Sequence, residues 1–218
     1  MVHPPPSPPA CRRRRRKDAR PGELLDAARA AFVENGFALT KMEDIARRAG
    51  VSKGTVYLYY PTKEGLFEAV VRADFLPLIE RLRTLIESDP EMSAVAQLQL
   101  IGETMYREIA GTDRRLLTHL VIAEGRRFPW LAEFYHREIM SQGKALIRSV
   151  LERGAARGEF APGGLVRHPE ILMAPTIVAA LFAILFAPHE AFDMEDYRHA
   201  HVELVLRGLL GGGPPFGN

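Results

Sequence analysis

Apolar residues recur every three or four positions from about residue 21 to about residue 210, and runs that alternate with a period of two are almost absent. The pattern predicts an all-α protein of about nine helices. In residues 21–35, Leu24, Leu25, Ala28, Ala31 and Phe32 share one face, and Gly36 follows as a helix stop. Thr40-Lys41-Met42-Glu43 reads as a capping box opening a short second helix, residues 41–50. Ser52 opens a third helix. Pro61-Thr62-Lys63-Glu64 opens a fourth with Thr62 as its N-cap, and its apolar face runs Leu66, Phe67, Val70, Val71, Leu78, Ile79 and Leu82. Pro77 inside that face predicts a kink or break near Asp74. Further starts fall at Asp89-Pro90, Asp113 and Pro129, the last running to about residue 157 before Gly158. Pro169 opens an apolar helix over 169–187, and Asp193 caps a final one over 193–210.

Residues 171–188, ILMAPTIVAALFAILFAP, are nearly all apolar. A membrane span needs about 20 such residues. Pro175, Pro188 and the flanking His168, Glu170 and His189 favour a buried helix instead. Because that helix is apolar all round, it needs cover on every side, more than one subunit of this size readily supplies. Helices 169–187 and 193–210 are therefore the expected homodimer contact.

Charge is uneven along the 218 residues. Residues 1–64 carry 13 Lys and Arg against 7 Asp and Glu, whereas residues 65–218 carry 16 against 20. The basic end is where a polyanion would be met. The start is Pro-rich and contains the run from Arg12 to Lys17; it is expected to be disordered, and the run reads either as an arm reaching DNA or as a solubilising extension. No apolar stretch of signal-peptide type is present there, and the single cysteine, Cys11, excludes an internal disulfide; both point to the cytoplasm. The sequence calls for no cofactor and no metal. It lacks G-x-S-x-G, P-loop, H-E-x-x-H and glycine-rich dinucleotide signatures, so an enzyme is not expected.

Residues 42–61 meet three demands of a helix-turn-helix. Ala46 is small where a second helix would cross, Gly50 suits a turn with positive φ, and Val56 supplies an inward apolar side chain. The stretches LLDAARAAFVENGF and TKMEDIARRAGVSKGTVYLYYPTKEGLF resemble the DNA-binding domain of TetR-family transcriptional regulators over about residues 21–67. The resemblance implies an N-terminal three-helix DNA-binding domain and a C-terminal helical ligand-binding and dimerisation domain. The domains expected are an arm (1–20), the helix-turn-helix domain (21–67), the effector and dimer domain (68–211) and a tail (212–218).

At 100° per residue, Ser52, Thr55 and Tyr59 share one face of the recognition helix, and Val56 and Tyr60 share another. The first is assigned to DNA and the second to the core. Thr55 offers a hydroxyl and a methyl, Gly54 lets backbone approach the duplex, and Lys53 can meet a phosphate or a guanine edge. Leu58 falls on the DNA side without an assigned role. The resemblance further implies phosphate contacts from Tyr57, Tyr59, Lys63, Thr40 and Lys41; position 59 is often histidine in the family. Met105, Tyr106, His119, Glu124, Phe128, Trp130, Phe134 and His136 are candidates to line a pocket for a small-molecule effector. The function expected is a regulator, acting as a repressor, that binds a near-palindromic double-stranded operator as a dimer. The alternative is a non-specific DNA-binding protein carried by its basic arm.

Overall fold

The computed structural model of the protein describes residues 20–161 and 163–211. The expected arm, apart from its last residue, and the expected tail lie outside the described residues. All regular structure among the described residues is helical. The chain forms two compact units, with the boundary between Val70 and Val71.

The N-terminal unit contains α1 (Arg20–Leu39), α2 (Met42–Arg48), α3 (Lys53–Tyr59) and the start of α4 (Lys63–Ser88). Of the expected face of α1, Leu24, Ala28, Ala31 and Phe32 are in the core and Leu25 is half-buried. The expected stop at Gly36 is a break inside the helix, with φ 72° and ψ 172°. It swings Phe37 inward. Phe32, Phe37 and Phe67 form a closed trio, with ring centroids 5.1–5.9 Å apart and two edge-to-face pairs. Such pairs add about 0.5–1.5 kcal/mol beyond the area they bury.

The C-terminal unit is built around α8 (Ser141–Ala156), whose Leu146, Ile147, Val150 and Leu151 pack with residues of four other helices. These are Leu82 and Ile86 of α4, Leu98 and Ile101 of α5 (Ala94–Thr104), Leu172 and Met173 of α10 (Glu170–Leu185), and Leu209 of α11 (Met194–Leu210). Between them run α6 (Arg114–Glu124), α7 (Pro129–Tyr135) and the single turn α9 (Gly164–Arg167). Two stretches are π-helical: Met105–Ala110 continues α5, and His136–Met140 joins α7 to α8. Sequence periodicity gave no sign of either, because one extra residue per turn leaves the apolar spacing readable as α.

Three expected helix boundaries need correction. The helix expected from Asp89-Pro90 starts at Ala94, because Ser93 is the N-cap and accepts from the Ala96 amide at 3.1 Å. Asp89 makes only a local turn, accepting from the Glu91 amide at 3.2 Å. At the second helix no capping box forms. Lys41 is the N-cap and no side chain accepts from the first turn. Finally, α4 runs unbroken through Pro77. A proline removes one amide and strains its turn. Arg114 Nε donates at 3.0 Å to the Asp74 carbonyl, the residue after Ala73, whose carbonyl is the one that loses its amide partner to the proline.

Expected features that do appear include Pro129 at the start of α7, Thr62 accepting from the Gly65 amide at 3.0 Å, and Asp193 accepting from Glu195 and Asp196 at the start of α11. Gly158 has φ 72° and closes α8 through Gly158 N–H to Ala155 O and Glu159 N–H to Gly154 O. Ile171, Val178, Leu185 and Phe186 on and just after α10, and Leu204 and Leu210 on α11, remain exposed. No described helix is long and apolar enough to cross a membrane.

Gly154 is the tightest point of the C-terminal core. A Cβ there would lie 2.4 Å from the Phe160 ring and 2.7 Å from Ala94 Cβ. Gly154→Ala is therefore expected to destabilise the protein by about 1–3 kcal/mol despite the better helix propensity of alanine. A urea midpoint equal to or above that of the parent would contradict this packing.

Candidate nucleic-acid interface and apolar cavity

The turn between α2 and α3 shows why the three signature residues stand where they do. Gly50 has φ +65°, a left-handed conformation that strains any side chain. The Val51 amide donates to Ala46 O at 3.0 Å and the Gly50 amide to Arg47 O at 3.2 Å. That pair of bonds satisfies two of the carbonyls left free at a helix end. Ala46 is 3% exposed and Val56 is fully buried, with Ile45 beside them. The chain is thereby turned so that α3 begins at once, with Ser52 as its N-cap.

Ser52 Oγ accepts from the Thr55 amide at 3.1 Å and lies 2.8 Å from Thr55 Oγ1. The two hydroxyls form one polar spot at the exposed N-terminal end of α3, beside Gly54, where a Cβ would meet only Ser52 Oγ at 3.8 Å. Lys53 pairs with Glu43, and its ammonium sits 5.6 Å from the Tyr57 ring centroid. The bond from Lys53 holds the Glu43 carboxyl below its ordinary pKa, and the same bond raises that of Lys53. The glutamate thus serves a lysine of α3, not the amide of a cap. Tyr57 and Tyr59 are 40% and 38% exposed, and Leu58 between them is 79% exposed. Tyr60 has left the helix, with φ −134°; it is half-buried, and desolvation raises the pKa of its hydroxyl. Lys41 is exposed.

Two residues expected at DNA have their polar groups committed inside the protein. Thr40 is 2% exposed, and its hydroxyl faces the carbonyls of Gly36 at 2.6 Å and Ala31 at 3.0 Å. It stitches the break in α1. Lys63 Nζ donates to the carbonyls of Phe37 (2.8 Å), Thr40 (3.0 Å) and Ala38 (3.3 Å), and stands 4.4 Å from the Phe37 ring centroid. An ammonium has three donors, and these carbonyls take them. The motif spacing that suggested a phosphate clamp marks a tie between α1 and α4, and only a long-range contact could reveal it.

The C-terminal unit contains an apolar cavity of about 810 Å³ including its open mouth. Helix α4 contributes Phe75, Leu78, Ile79 and Leu82 to its wall. Both π-helical stretches face it, through Met105 and Ile109 from one and Ile139 and Met140 from the other. Of the eight residues expected around an effector, Met105 alone is in this wall. Tyr106 turns away, its hydroxyl 3.0 Å from His201 Nδ1. Phe134 is buried against the Arg72 guanidinium. His119, Glu124, Phe128, Trp130 and His136 lie on other faces, outside the wall. On α6 the inward residue is Thr118, whose hydroxyl meets that of Tyr135 at 3.1 Å. Among the described residues, no group of three or more His, Cys, Asp or Glu could hold a metal.

Residues 24–70 match the family model for bacterial regulatory proteins of the tetR family, and residues 92–205, more than half of the chain, match the tetracyclin repressor-like C-terminal domain. The chain belongs to the TetR family of transcriptional regulators. It is 29% identical to the HTH-type transcriptional repressor KstR2 of Rhodococcus jostii over 66% of this chain and 69% of that one. A TetR-family regulator from Mesorhizobium loti matches with a TM-score of 0.70 and 25% identity, covering 89% of this chain and 98% of that one. The fold also matches Bacillus subtilis FadR, solved with stearoyl-CoA, with a TM-score of 0.68 and 22% identity over 86% and 98% of the two chains. This TetR-family chain is therefore a DNA-binding regulator and not an enzyme.

A structural Lys63 and a phosphate-binding Lys63 predict different salt behaviour. Lys63→Met should destabilise the protein by about 1–3 kcal/mol, because three carbonyls lose a charged donor. It should weaken DNA binding without changing the slope of log affinity against log salt. A slope reduced by about one unit would show a lost phosphate contact instead.

Proposed function

We propose that this regulator binds a near-palindromic operator as a homodimer, represses transcription there, and releases it when a small molecule enters the apolar cavity. The observation that carries the DNA reading is the exposed start of α3. Ser52, Lys53, Gly54 and Thr55 occupy the end of a short helix that a tight turn projects from its support. A recognition helix offers its N-terminal residues to base edges in the major groove. Ser52 and Thr55 then act as one hydroxyl pair toward a base or phosphate. Tyr57 and Tyr59 reach phosphates with their hydroxyls, and Lys41 adds charge at the start of α2. Lys53 must leave Glu43 to reach DNA, so its gain is the difference between two charged partners. Thr40 and Lys63 act as positioning residues.

A single helix-turn-helix reads few base pairs, and a dimer places two such heads about 34–36 Å apart on one duplex face. The exposed Ile171, Val178, Leu185, Phe186, Leu204 and Leu210 supply the apolar surface for that contact. A second copy of the same two helices would cover it isologously. The proposed site of action is the cytoplasm. For the response to effector, α4 is the physical link: one continuous helix begins at Lys63 and carries Phe75, Leu78, Ile79 and Leu82 in the cavity wall. A ligand that shifts those side chains biases the other end of the same rod. A coupling of about 1–3 kcal/mol changes operator affinity 5- to 150-fold.

Selection of bound fragments from a random DNA pool tests the operator. A shared near-palindrome is expected; a pool enriched in no common sequence would leave only non-specific binding. Against the selected site, Tyr57→Phe and Tyr59→Phe should each weaken specific and non-specific DNA alike by about 1 kcal/mol, with the unfolding midpoint unchanged. Sedimentation at micromolar concentration should give a dimer, and a monomer would reject the proposed contact.

A further inference from the structure

We propose that the effector is an uncharged, mostly hydrocarbon molecule with a single hydroxyl or carbonyl oxygen, held inside the cavity by a hydrogen bond to Thr176. The proposal rests on the reading of that cavity as the effector site. Its wall contains no Lys, Arg, Asp, Glu or His. An ionised group moved into such surroundings loses its hydration and finds no counter-charge, so a carboxylate or ammonium is rejected there. A neutral oxygen needs only one hydrogen bond to enter.

The wall has four polar side chains: Thr104, Thr118, Tyr135 and Thr176. Thr118 and Tyr135 already satisfy each other. Full burial pushes the Tyr135 hydroxyl up to about 12, so it stays neutral and supplies no charge. Thr176 differs from that pair. It is 3% exposed, and its hydroxyl has no hydrogen-bond partner. The neighbouring Tyr106 hydroxyl feels it, since Thr176 opposes the burial that pushes Tyr106 up to about 12, but no well-directed bond joins the two. Tyr106 is instead engaged with His201 Nδ1 at 3.0 Å.

Unpaired buried hydroxyls are rare because each forfeits its hydrogen bond to water. This one stands in the wall of an apolar cavity, where a ligand oxygen could complete it. The threonine hydroxyl can donate to a carbonyl or accept from an alcohol, so either oxygen fits. The rest of the ligand meets apolar side chains such as Leu78, Ile147 and Met173.

The test titrates the full-length protein with four probes that share a ten-carbon chain: 1-decanol, 2-decanone, decanoate and decyltrimethylammonium, each below its micelle concentration. Calorimetry should show the alcohol and the ketone binding at least about tenfold more tightly than either ion. Thr176→Val should weaken the alcohol and the ketone about five- to tenfold and leave butylbenzene, which has no oxygen, unchanged. In the absence of probe the same variant should melt no lower than the parent, which separates lost recognition from lost folding. Gly143 also lines the cavity, and a Cβ there would make an ordinary 3.6 Å contact with Met173. Gly143→Leu should therefore fill the space and abolish binding of the neutral probes. If neutral probes bind Gly143→Leu as they bind the parent, the cavity is not their site and the effector reading itself falls. If Gly143→Leu blocks binding but decanoate rivals decanol in the parent, the cavity reading stands and the neutral class is overturned. Binding by none of the probes, or a Thr176→Val variant that discriminates none of them, also overturns the proposal.

Discussion

The Lys63 ammonium donates to the carbonyls of Phe37, Ala38 and Thr40, and the order of the N-terminal unit follows from that contact. The last carbonyls of a helix have no intrahelical partner. In α1 the problem is worse, because Gly36 breaks the helix and a further turn follows before α2. A cation there satisfies several acceptors at once and sits at the negative end of the helix dipole. Lys63 occupies the first position of α4, where a positive charge faces its own helix unfavourably. The carbonyls of α1 offset that. The result joins the end of one helix to the start of another, with Phe37 stacked on Phe32, edge-to-face with Phe67, and beside the ammonium.

The C-terminal unit meets a different constraint, since it must fold stably around a space it does not fill. Side chains bordering a void lose dispersion contacts on one side. A π-helical turn widens the helix locally and re-aims the side chains after it. Two such turns border this cavity and deliver Met105, Ile109, Ile139 and Met140 to its wall. Their own backbone bonds are held by neighbours: Gly111 N–H reaches Tyr106 O at 2.8 Å, and the Gln142 side chain donates to Glu138 O at 2.7 Å. Arg114 ties Glu108 in the first π turn to Asp74 in α4. The polar shell carries the irregular backbone, so the wall itself can remain apolar.

The helix-turn-helix was legible in the sequence because its demands are local. Ala46, Gly50 and Val56 each answer to a neighbour a few residues away, as do Ser52, Thr62, Pro129 and Asp193 at helix starts. Glu43 misled because a capping box and a lysine partner in the next helix use the same residue at the same position. Lys63 and Thr40 misled for a related reason: their partners lie up to 26 residues away, and spacing along the chain does not register them. Pro77 is the same lesson with the sign reversed: a local breaker stands inside a helix that continues past it. Of the effector candidates all but Met105 lie outside the apolar cavity, because spacing along a helix does not say which of its faces packs inward. Which face looks inward is set by packing, and Thr118, not His119, faces the cavity on α6.

A continuous α4 matters more than its length suggests. Its 26 residues span about 39 Å at helical rise. Arg114 bonds the Asp74 carbonyl in the turn before the proline, and the same guanidinium is bonded to Glu108 in a π-helical stretch that faces the cavity. Cavity wall and rod thus share one charged group. The proline read from the sequence as a kink or break lies inside a continuous helix, three residues after a carbonyl that Arg114 bonds.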